Sequence, residues 1–107
     1  MSQWSPIKYV GFYDVPAIFL TRYNGLTFLF DRPFLEDIED DATYYKVYLM
    51  PDLRDEDLPK DWATLAARAT RFLGEVNVDK VQFDPTRRQA VDVAVFDSIP
   101  ALRATAG

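Results

Sequence analysis

Three aspartates in this chain sit where acid–base chemistry would need them. Asp14, Asp31 and Asp84 border segments that read as strands, and paired carboxylates at strand ends can share the work of general acid and general base. Each also has a plainer duty. Asp14 and Asp84 precede or open turns, and Asp31 ends an apolar run. Asp37, Glu39 and Asp41 alternate in the manner of a calcium loop, but the pattern then breaks. With Asp37 as the first ligand, the glycine position holds Ala42 and the bidentate acid position holds Tyr48. The chain has no histidine and no cysteine, which removes the usual neutral-pH base, the usual metal ligands and a thiolate nucleophile. No phosphate-cradling glycine motif and no nucleophile elbow occurs. The sequence therefore predicts a protein without catalytic residues, cofactor or metal site.

Charge and aromatic content are more informative. Residues 31–61 hold eleven acids and four bases, so the whole net charge of −5 arises in one stretch. Twelve of the sixteen aromatic residues lie between Trp4 and Tyr48. Such an acidic balance disfavours nucleic acid, whose phosphates need clustered Lys and Arg, and suits a basic protein surface. The doublet Arg87-Arg88 is too small to be a nucleic-acid footprint. No apolar run has the length of a membrane span and no secretory pattern opens the chain, so the expected location is cytoplasmic. A chain of 107 residues is expected to form a single domain, frayed over 97–107.

The elements that must position these residues follow from local patterns. Residues 7–13 read as a strand, closed by Asp14-Val15-Pro16. Asn24-Gly25 between two apolar runs is a two-residue hairpin turn, because both turn positions need positive φ. That turn sets Tyr23 opposite Leu26, Thr21 opposite Phe28 and Phe19 opposite Phe30, with Arg22–Thr27, Leu20–Leu29 and Ile18–Asp31 on the other face. Both faces are largely apolar, so both should be covered. Residues 33–41 suit either a turn or two of helix or an acidic loop. Residues 44–50 alternate as a strand, with Tyr44, Lys46 and Tyr48 sharing one face.

Beyond them, Trp62, Leu65, Ala66, Ala69, Phe72 and Leu73 recur at helical spacing and predict an α-helix over 61–73, capped by Asp61 and Gly74. A short strand over 75–78 follows. A second hairpin turns at Asp84-Pro85-Thr86-Arg87 and returns through Val91, Val93 and Val95.

These elements predict an α+β fold: a curved antiparallel sheet of five to seven strands packed with one main α-helix, with a partly closed small barrel as the alternative. The expected function is a non-catalytic acidic protein–protein interaction module, an immunity-like inhibitor or adaptor. Small immunity proteins and antitoxins share its size and charge, which is composition and not homology. Its basic partner would meet Glu36, Asp37, Glu39, Asp40, Asp41, Tyr44 and Tyr48. Two other expectations compete: a small-molecule pocket lined by Phe19, Tyr23, Phe28 and Phe30, and a homodimer through the apolar hairpin or a free sheet edge.

Overall fold

The computed structural model describes residues 4–12, 16–23, 25–35, 37–51, 56, 58, 62–83 and 90–99. Outside them lie Asp14, Asn24, Glu36, Asp61, the 84–87 turn, the Arg87-Arg88 doublet and residues 100–107. Among the described residues eight strands form: β1 (Trp4–Phe12), β2 (Pro16–Tyr23), β3 (Leu26–Asp31), β4 (Phe34–Leu35), β5 (Asp40–Asp41), β6 (Tyr44–Met50), β7 (Arg71–Asn77) and β8 (Ala90–Asp92). Six of them make one open antiparallel sheet in the order β7-β6-β3-β2-β1-β8, and β4 and β5 make a separate small hairpin.

The β2–β3 hairpin has the register that its turn dictates, from Tyr23↔Leu26 through Phe19↔Phe30 to Ile18↔Asp31. Gly25 has φ 77, a backbone state that glycine adopts without strain. Thr27 to Phe30 are all buried, so this hairpin is covered on both faces.

The sheet is open yet strongly curled. Beyond β8, Phe83 bridges Val91, and the Asp92 amide donates to the Gln82 carbonyl at 2.8 Å. The chain leaves β7 at Asn77 and reaches Gln82 five residues later, a reach of at most about 18 Å. A flat sheet would set those ends nearly 30 Å apart, at ~4.8 Å per strand. Curling brings them together around one core. Ile7, Phe19, Phe30, Tyr45, Val47, Leu73, Val76 and Val91 supply it from all six strands. The 3-10 helix Val93–Ser98 and the residue after it close the concave side with Val95, Phe96 and Ile99.

The expected α-helix over 61–73 is absent; among the described residues the helices are short 3-10 segments, and the fold is a β-sheet rather than α+β. Trp62–Arg68 forms a 3-10 helix whose Leu65, with Trp62, Ala66 and Ala69, covers Leu20, Leu29 and Met50 on the convex face. These four side chains do share one packed patch, but the segment is a 3-10 helix that ends at Arg68. It ends because Thr70 docks on β6, its amide and its hydroxyl both donating to the Leu49 carbonyl at 2.8 and 3.0 Å. From there side chains alternate as in a strand: Phe72 points outward and Leu73 enters the concave core. Gly74 is no helix cap. It has φ 126 beside the register shift at Val47/Tyr48, which marks a bulge between β6 and β7.

Two smaller departures have similar causes. In the 33–41 segment Phe34↔Asp41 and Leu35↔Asp40 pair as strands, with Asp37, Ile38 and Glu39 in the turn between them. The return strand of the second hairpin stops at Asp92, whose carboxylate accepts the Ala94 amide at 3.0 Å and starts a 3-10 turn.

Candidate functional site

The acidic run is built as a hairpin fastened at its base. The Ala42 amide donates to the Pro33 carbonyl at 2.8 Å, and the Arg32 amide donates to the Ala17 carbonyl at 2.8 Å. Arg32 Nε donates to the Ala42 carbonyl at 2.6 Å, so one side chain ties the outgoing and returning arms. Ala42 itself is buried. The arms lift Asp37, Ile38 and Glu39 into solvent, and Glu39 turns the chain with φ 52. That conformation is uncommon for a residue with a side chain and costs about 1 kcal/mol or more.

Ile38 is 60% exposed, more than any other large apolar side chain among the described residues. The sequence groups Ile38 with Phe34 and Leu35 as apolar residues that pin this segment to the body of the protein, and its exposure overturns that expectation. The signal was a lone apolar residue inside the acidic run Glu36 to Asp41.

The expected site residues divide. Asp37 and Glu39 share the tip with Ile38; the Asp40 and Asp41 backbones form β5, and Glu36 lies outside the described residues. Tyr44 begins β6 three residues after β5 and is half-buried. Tyr48, on the same face, sits about 13 Å farther along at the usual rise per residue. It is half-buried against the Trp62–Arg68 helix and meets Phe72 at 5.2 Å between ring centroids. Tyr44 thus follows the base of the hairpin, away from the acids at its tip, and Tyr48 belongs to the helix-covered patch.

The aromatic face of β2 and β3 packs on itself. Phe19 stacks on Phe30 at 4.5 Å, Tyr23 stacks on Phe96 at 4.3 Å, and Phe28 lies 4.9 Å from Phe96. Those rings pack against one another in the concave core.

Two ionisable groups are shifted near the hairpin base. Burial raises the Asp31 carboxyl above its ordinary 3.8, against a smaller opposing pull from Lys46. Burial also holds the Tyr45 phenol protonated well beyond its ordinary range, only partly offset by Arg32. Among the described residues no group of three or more acids is placed to hold a metal ion, and no helix is long and apolar enough to cross a membrane. No protein-family model, curated protein or solved structure matches the chain.

Proposed function

We propose that this chain is a non-catalytic interaction module that presents the β4–β5 tip to a basic protein partner, in the manner of an immunity-like inhibitor or an adaptor. The observation that carries it is Ile38, 60% exposed between two exposed carboxylates. An apolar anchor flanked by charge fits a partner pocket with a cationic rim, where the anchor supplies affinity and the acids supply on-rate and orientation. The fastened base supports this use. A tip held by the Arg32–Ala42 clamp has less conformational freedom to lose on binding.

The test is affinity capture with the native chain, Ile38→Asp, and Asp37→Lys with Glu39→Lys, each at low and high salt. A basic partner should be retained by the native chain at low salt and lost with either variant, while circular dichroism shows all three folded. A partner held equally by all three at both salt concentrations overturns the assignment to the tip.

A further inference from the structure

The convex face of the sheet carries a groove of about 400 Å³, a volume typical of small-molecule sites. Pro6 and Lys8 of β1, Leu20 and Arg22 of β2, Thr27 of β3, and Leu58 line it. No residue of the β4–β5 hairpin is among them, so the groove is independent of the proposed tip.

Register explains the lining. Lys8 faces Leu20 and Ile7 faces Thr21 across β1 and β2, which makes Lys8 and Arg22 diagonal neighbours on one face. Diagonal positions lie roughly 7–8 Å apart, a spacing that a single carboxylate can bridge with two long side chains. Leu20 and Thr27 are buried and form the floor, Leu58 is half-buried and forms a wall, and both cations are exposed. Two neighbouring cations over an aliphatic floor, in a chain of net charge −5, favour an anionic head joined to an apolar body.

We propose that the groove binds a small organic carboxylate with an aliphatic or aromatic body. Lys8 Nζ and the Arg22 guanidinium hold the carboxylate, and the body lies over Leu20 against Leu58. Each cation already has an interacting group in the chain. The carboxylate therefore exchanges for an existing contact, and apolar burial supplies much of the net gain.

The experiment is a methyl-resolved NMR titration of the full chain with decanoate, decanol and decyltrimethylammonium, repeated on Lys8→Gln with Arg22→Gln. Decanoate should saturate with shifts at the Leu20 and Leu58 methyls. Decanol and the ammonium should bind about tenfold or more weaker, and the double variant should lose a similar factor for decanoate while leaving decanol unchanged. Both side chains are exposed, so the variant should keep the native spectrum, which the same experiment checks. Equal affinity for decanoate and decanol, decanoate binding unaffected by the double variant, or no shift at those methyls would overturn the proposal. Saturation by an oligoglutamate peptide with decanoate inert would overturn it too, by assigning the cations to a protein partner.

Discussion

The hydroxyls of Ser5 and Thr21 lie 2.7 Å apart in the core, at the point where β1 passes from pairing with β8 to pairing with β2. Pro6 stands there without an amide proton, and its absence is made good by side chains. Ser5 Oγ donates to the Arg22 carbonyl at 2.6 Å, and Thr21 Oγ1 donates to the Pro6 carbonyl at 3.0 Å. The proline's missing ladder donor is thus replaced by its neighbour's hydroxyl. Ser5→Ala should cost about 1 kcal/mol, because the partly buried Arg22 carbonyl loses a donor. Thr21→Val should cost a similar amount, and the double variant less than the sum, since the two hydroxyls act as a unit. Urea unfolding of the three variants measures both quantities.

Leu65 is fully buried where the Trp62–Arg68 helix meets the convex face. Leu65→Ala should destabilise the protein by roughly 2–5 kcal/mol, the range for a buried leucine truncated in a close-packed core. Exposed Ala67, two residues farther along the helix, should tolerate serine within about 0.5 kcal/mol. Thermal unfolding followed by near-ultraviolet circular dichroism should register the first and not the second. The far-ultraviolet spectrum of the native chain should lack a strong α-helical component.

What was legible in the sequence was local. Asn24-Gly25 allowed one register, and β2 and β3 adopt it; residues 44–50 alternate as β6 with the bounds expected. The helix was misread because spacing in Trp62, Leu65, Ala66 and Ala69 continues by chance into Phe72 and Leu73. Tertiary contacts separate helix from strand there: Thr70 docks on the Leu49 carbonyl, and the residues after it pair with β6. Likewise the acids of the tip were visible as composition, whereas Lys8 beside Arg22 was not. Those two are fourteen positions apart, and the β1–β2 register that joins them has no two-residue turn to announce it.

Gly25 offers a clean separation of backbone from packing. Nothing lies within 4 Å of where a β-carbon would stand, so an added methyl meets open space. The penalty for Gly25→Ala is then conformational alone, about 1–2 kcal/mol for holding a side-chain-bearing residue at φ 77. The β2–β3 register should survive, because the cross-strand pairs hold it. Chemical denaturation should show the loss, and unchanged long-range amide contacts between Tyr23 and Leu26 should show the register intact.

Asp31 and Lys46 face one another across β3 and β6, and their balance sets a pH dependence of unusual sign for a carboxylate. Desolvation raises the Asp31 carboxyl above its ordinary 3.8, and the attraction of Lys46 recovers only part of the cost. At low pH the group is protonated in both folded and unfolded chains, and its contribution to stability is fully present. As pH rises, the unfolded carboxyl ionises first while the folded one resists, and that contribution is lost through the folded pKa. Asp31→Asn should therefore be more stable than the native chain near neutral pH, with the difference vanishing at strongly acidic pH. Lys46→Gln should act oppositely, pushing the carboxyl higher and lowering stability near neutrality. Urea midpoints across that pH range, with the carboxyl titration followed by NMR, decide the matter. An asparagine variant less stable than the native chain at neutral pH would show that the ion pair outweighs the burial.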